Sequence, residues 1–283
     1  MLRYQVAPLA LCAYRAWRYI SSHKMVPELR VLLFHEIPKV DELTFAKIVR
    51  FAVDNYQVLT PAQAESWFQK DDLIPEYDQK PPLLFTFDDG FVSNFTLARP
   101  ILERYGVTGI FFICPGLVSL PEDEQRFAVH KYVKNGNNSP APSTIEALMT
   151  WHQIENLARD GHTVGNHGLM HRRLSDLQGA QLIEEIEDSR LRLQDKLGGS
   201  PAWYAYSFGD IRSISADAIN QIKVHHKFCR SGVRGANEKG GSALTIFSEH
   251  IDLTAPLSFQ HLGLEGGLDW FYRYKRRKFL EII

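Results

Sequence analysis

The stretch Leu83-Leu-Phe-Thr-Phe-Asp-Asp-Gly90 decides the architecture. Following Pro81-Pro82, its apolar part reads as a buried strand, the pattern of a sheet covered on both faces. Two adjacent carboxylates end that strand. In a regular strand successive side chains point to opposite faces, so Asp88 and Asp89 share one site only if the chain turns there. Gly90 permits that turn. Paired carboxylates serve two chemistries, one holding a cation and the other acting as a base beside it. A strand-to-helix turn in which an aspartate caps the next helix accounts for the same residues equally well.

Working outward, short apolar runs predict further strands at 30–34, 109–114, 162–165, 203–206, 227–229 and 244–251. Helical patterns fall between them, at 44–56, 61–69, 98–105, 150–159, 175–197 and 216–223, with a C-terminal helical segment running through Arg273-Tyr-Lys-Arg-Arg-Lys278. Thr44, Thr60 and Thr150 stand where N-caps belong, and Gly106 and Gly198 where helices stop. Residues 119–143 and 232–241 read as surface loops. Strands alternating with helices imply a parallel sheet or barrel wrapped by helices. Residues 1–28 are expected to form an N-terminal amphipathic helix, and 29–283 a single domain.

Composition closes off other classes. Of 283 residues, 45% are apolar and 23% charged, which excludes a disordered chain. The 32 basic and 33 acidic residues leave no global field for nucleic acid, and no phosphate-binding glycine motif appears. Cys12, Cys114 and Cys229 are too sparse for a disulfide framework, so reduced thiols and a cytoplasmic location are expected. The apolar stretch Val6–Trp17 is broken by Arg15 and shows no cleavage site. Helix 3–23 is expected to pack on the domain. Its Arg3, Arg15, Arg18 and Trp17, with the basic run 275–278, also suit peripheral contact with the inner membrane face.

A second motif, His167-Gly-Leu-Met-His171, spaces two imidazoles so that they share a face if the segment is helical. Eleven histidines in the chain make one such pair unremarkable by itself. Together with a carboxylate, however, two histidines form a three-ligand set with positions left open for water or substrate. Gly168 stands where a zinc-protease helix has glutamate, so that class is not supported.

In this combination the chain resembles the polysaccharide deacetylases with a NodB homology domain, carbohydrate esterase family 4. The residues that carry the likeness are Thr86-Phe-Asp-Asp-Gly90 with Phe91 and Asn94, Gly106-Val-Thr-Gly-Ile-Phe-Phe112, Trp151–Gly161 leading into Asn166–His171, and Ala205-Tyr-Ser-Phe-Gly209. The likeness spans roughly residues 31–270 and implies an α/β fold, a distorted (β/α) barrel of about seven strands open at one side. It implies Asp89, His167 and His171 as ligands of a divalent metal, zinc or alternatively cobalt, which would acidify a water. Asp88 becomes the base, and the Phe208 backbone N–H a donor to the oxyanion.

The chain also departs from that pattern. Ser207 replaces a proline, and Ala202 stands near the place of an arginine that orients the base. The family's late Leu-x-His motif, whose histidine acts as general acid, is not clear in this chain, and the C-terminal part is more similar to a subgroup that carries an arginine at that place. His250 is the candidate general acid, in Phe247-Ser-Glu-His250, and His35, after the first strand, is a candidate substrate contact. Tyr206, with Trp203 and Tyr204, is either a sugar-stacking residue or core. His225-His226 reads as surface. The expected reaction removes an acetyl or formyl group from an N-acylated amino sugar of a polysaccharide or lipid-linked glycan. An inactive carbohydrate-binding module, or a hydrolase of another non-peptide C–N bond, are the alternatives.

Overall fold

The computed structural model describes residues 2–20, 28–69, 80–136 and 144–282. Its strands are β1 (Glu28–Phe34), β2 (Gln57–Val58), β3 (Pro82–Phe87), β4 (Gly109–Ile113), β5 (Thr163–Asn166), β6 (Trp203–Ala205), β7 (Phe228–Arg230), β8 (Asn237–Glu238) and β9 (Glu249–His250). Seven of them run parallel, in the order β7-β6-β5-β4-β3-β1-β9, and curl into a half-barrel surrounded by helices. The short β2 adds in parallel to β3, and β8 pairs antiparallel with β1.

The expected strand 244–251 is divided. Ile246 bridges to Arg230 of β7, and β9 pairs with β1, so this segment spans the opening between the two edges. The 119–143 loop also needs correction, because it contains a helix, Glu122–Ala128, continued by a wider turn through Val133. Three acidic residues in its first turn suit the helix dipole, and Gln125, Ala128 and Val129 are buried at helical spacing. Residues 137–143 lie outside the described residues. Thr150 forms a reciprocal capping box with Gln153, as Thr60 does with Gln63, whereas the helix starting at Glu42 has no side-chain cap.

Alternation sorts the sheet residues into two layers. Leu29, Val31, Leu84, Ile110, Phe112, Trp203, Ala205 and Phe228 pack together inside the curl, where Trp67 and Phe68 of the helix Pro61–Gln69 join them. Their neighbours Leu32, Phe34, Phe85, Phe87 and Phe111 pack outward against the helices. This arrangement leaves the C-terminal ends of β1, β3, β5, β6, β7 and β9 along one rim, where parallel α/β folds place their chemistry.

Of the expected helix 3–23, the described residues form a helix Leu2–Ile20 that docks on the helix Leu257–Leu264, and 21–23 lie outside the described residues. Ala7 and Leu11 are buried in this contact, Tyr4 donates to Asp252 and Tyr14 to the Glu265 carbonyl, and Arg15 pairs with Glu265. The basic side chains therefore sit mostly at or beside the docked face rather than forming a separate polar face.

Candidate active site

The turn after β3 brings the two aspartates together. Asp88 N–H still donates to the Phe34 carbonyl as if the strand continued, at 2.9 Å. The backbone then enters the left-handed region at Asp89 (φ 71°) and Gly90 (φ 77°), which swings both carboxylates to the same rim. Asp89, His171 and Phe208 are three of the four non-glycine residues with positive φ among the described residues. Backbone strain is thus concentrated at this rim, the usual place for strain tied to function.

His167 follows β5 directly, and its N–H donates to Ile113 at the end of β4. The segment to His171 is not helical, contrary to the condition under which the two imidazoles would share a face. They converge instead through a loop that turns at Gly168 (φ 83°) and His171 (φ 59°), leaving the rings 5.0 Å apart. Buried Glu185 holds this loop. Its Oε1 accepts from the N–H groups of Met170 and Arg172, each at 3.0 Å, its carbonyl accepts from Leu169, and its Oε2 pairs with Arg172. A Cβ at position 168 would stand 2.6 Å from Glu185 Oε1, so the carboxylate fits only against glycine. Glu185 lies in a widened turn, Glu184–Asp188, within what the sequence reads as one continuous helix.

The ligand atoms of Asp89, His167 and His171 lie within 4.8 Å of one another, all buried. Asp89 Oδ1 is 3.3 Å from Nε2 of each imidazole, yet it has no well-aligned hydrogen bond. Each histidine uses its other nitrogen on a backbone carbonyl, His167 on Ala205 at 2.7 Å and His171 on Tyr132 at 2.9 Å. With Nδ1–H donating, Nε2 of the neutral ring presents a lone pair inward. Three acceptors facing one point need a positive charge between them, so these residues fit a divalent cation.

The electrostatics agree. Burial raises the Asp89 carboxyl, but the neighbouring imidazoles outweigh it and hold Asp89 well below the usual carboxylate range. Burial lowers His167, but Asp88 and Asp89 overcome it and raise the ring above its ordinary value. His171 is pushed down to about 4, chiefly by burial, and is neutral at physiological pH.

Asp88 Oδ2 lies 3.7 Å from His167 Nε2, while its Oδ1 is ion-paired with Arg230 Nη2. Arg230 ends β7, is almost fully buried, and has its guanidinium over the Phe112 ring. An arginine therefore does stand against Asp88, supplied by β7 and not from the neighbourhood of Ala202. Ala202 precedes β6 at the opposite end of that strand from the rim.

These groups line a cavity of about 540 Å³, within the range of small-molecule sites. His35 and His250 line it too, ring edge to ring face at 5.1 Å. Solvent reaches His250 through the cavity, yet the surrounding protein and the charges of His35 and Arg234 push it down to about 4. Phe208 packs against the His171 ring, and its backbone N–H has no partner among the described residues. Ser207 is buried, with its hydroxyl 3.5 Å from the His167 carbonyl. Tyr206 is a correction. It is buried in the outer layer, donates to the Gly209 carbonyl at 3.0 Å and does not line the cavity. His226 is another, since it is buried with its Nε2 3.1 Å from the Asn166 amide nitrogen.

Comparison with known proteins agrees with this geometry. Residues 76–226 match the family model described as polysaccharide deacetylase. YxkH of Bacillus subtilis (strain 168), a protein named for that family, is 26% identical over 172 residues, covering 58% of this chain; the match spans half the length of YxkH. Among solved structures, Streptococcus pyogenes deacetylase PplD superposes with a TM-score of 0.61 at 16% identity, over 86% of this chain and 98% of its own. A de-N-acetylase from Aggregatibacter actinomycetemcomitans gives a TM-score of 0.64 at 15% identity, over 83% and 99%. At such identities these likenesses speak for the fold alone. With the family model covering more than half of the sequence, the chain belongs to the polysaccharide deacetylase family.

Proposed function

We propose that this protein is a metal-dependent hydrolase that removes an N-acyl group, acetyl or formyl, from an amino sugar of a polysaccharide or lipid-linked glycan precursor. The observation that carries this reading is the convergence of Asp89, His167 and His171 beside an Asp88 held by Arg230. Asp89, His167 and His171 would hold a divalent cation, zinc or cobalt. Such an ion supplies Lewis-acid charge to the reacting carbonyl and acidifies water.

The chain's own groups supply the rest. Asp88 takes the proton from the attacking water, whose oxygen bonds to the acyl carbon. Arg230 fixes the orientation of Asp88 through their buried ion pair. The Phe208 N–H donates to the oxygen that gains negative charge. When the C–N bond breaks, the leaving amine needs a proton. His35 and His250 lie ring to ring in the cavity, 5.1 Å apart, and His250, pushed down to about 4, holds a proton poorly at neutral pH, which leaves His35 as the donor in this reading. The products are the free amino sugar and the released acid.

The inactive-module alternative rests on the missing arginine and the uncertain general acid, and the ion pair of Arg230 with Asp88 weighs against the first of these. The test is metal content and acid release with an N-acetylated amino-sugar oligomer, for the wild type and Asp88→Asn. About one divalent ion per chain in both proteins, with turnover only in the wild type, supports the reading. Near-normal turnover by Asp88→Asn removes Asp88 as the base.

A further inference from the structure

The N-terminal helix carries two apolar stripes. One, through Ala7, Leu11 and Tyr14, is docked. The other, Val6, Leu9, Ala13, Ala16, Trp17 and Ile20, recurs at helical spacing on the opposite side and is exposed. Leu9 is 75% exposed, Trp17 58% and Ile20 80%, and among the described residues nothing covers them. A surface helix normally turns a polar face outward, so a second apolar stripe requires an occupant.

The C-terminal helix Asp269–Leu280 repeats the feature with charge added. Its inward positions are Tyr272, Arg276 and Phe279. Its outward positions are aromatic and basic: Trp270, Phe271 and Tyr274 are each at least 64% exposed, interleaved with Arg273, Arg277 and Lys278. One acid, Glu281, pairs with Arg277 and Lys278, which leaves this face basic on a chain of net charge −1. The two helices are neighbours. Tyr14 and Arg15 bond to Glu265, and Arg30 pairs with Asp269 at the start of the C-terminal helix. The far end of the N-terminal helix reaches the cavity rim, where Tyr4 donates to Asp252.

We propose that these two faces together rest on an anionic lipid bilayer. Aromatic side chains interleaved with arginine and lysine match the headgroup layer, where apolar area and positive charge act together. A two-fold copy of the same chain would set basic rim against basic rim, which disfavours self-association. Attachment through the N-terminal helix places the cavity mouth beside the membrane. If the deacylase reading holds, a membrane-attached glycan is then a substrate within reach. The lipid proposal itself does not depend on that activity.

The test is flotation of the full chain with vesicles of phosphatidylcholine alone, or with about one lipid in three replaced by phosphatidylglycerol. Binding is expected at least about tenfold tighter to the anionic vesicles, weakening with added salt and accompanied by a blue shift of tryptophan emission. The pair Leu9→Ser with Trp17→Ser, and separately Arg273→Glu with Arg277→Glu, should each reduce binding at least about tenfold. Their circular dichroism should be unchanged, because all four positions are exposed. No binding to anionic vesicles, or equal binding by folded variants, overturns the proposal. A dimer in sedimentation that Leu9→Ser with Trp17→Ser disperses, without vesicle binding, assigns the face to a second copy instead.

Discussion

The guanidinium of Arg230, at the end of β7, is ion-paired with the carboxylate of Asp88, 142 positions earlier at the end of β3. Both are buried, so the pair is an oriented contact rather than a surface attraction screened by solvent.

Arg230→Gln should therefore lower kcat, by roughly 10- to 100-fold, while metal content stays at the wild-type level. The pH–rate profile should move as well, because the positive charge paired with the proposed base is removed. An unchanged profile with a proportionate loss of folded protein would mean that Arg230 only supports the fold.

Glu185 touches none of the proposed reacting groups, yet it holds the loop between the two histidines. Glu185→Gln keeps the shape but weakens that clamp. Metal affinity should fall by about tenfold, measured by competition with a chelating dye. Turnover at saturating metal should recover, which separates loop positioning from general damage.

The proton donor can be assigned by comparing His35→Ala with His250→Ala. The first should lose about 100-fold or more in kcat on an amino sugar with a poor leaving group. The second should lose much less. The reverse order would return the role to His250.

Acid stability has a marker in His226. Burial pushes this ring down to about 3 in the folded chain, against an ordinary value of 6.5. Between those values the unfolded chain binds a proton that the folded chain does not. The contribution is complete above pH 6.5 and is lost as pH falls through the window. From pH 7 to 5 the wild type should lose about 2 kcal/mol more than His226→Gln, read from urea unfolding.

The sequence made the aspartates and histidines legible because each pair lies within five residues and follows a predicted strand. Parity explains Tyr206: in β6, Trp203 and Ala205 face inside the curl, which sends Tyr204 and Tyr206 outward. Arg230 is not legible in the sequence, because the expected strand 227–229 ends one residue earlier, at Cys229, and nothing local links Arg230 to Asp88. Glu185 was missed for a related reason. In a long polar-faced helix a glutamate reads as solvated, and only the widened turn at 184–188 and the packing of Gly168 reveal its burial. His226 likewise acquires its partner, Asn166, only through the fold.

The central claim is tested most directly by chelation and reconstitution, with acid release from an N-acetylated amino-sugar oligomer as the readout. The account predicts that activity disappears when divalent metal is stripped and returns with zinc or cobalt, and that His171→Ala does not recover. Turnover that survives complete chelation, or no turnover by metal-loaded wild type on N-acetylated or N-formylated amino sugars, would contradict it.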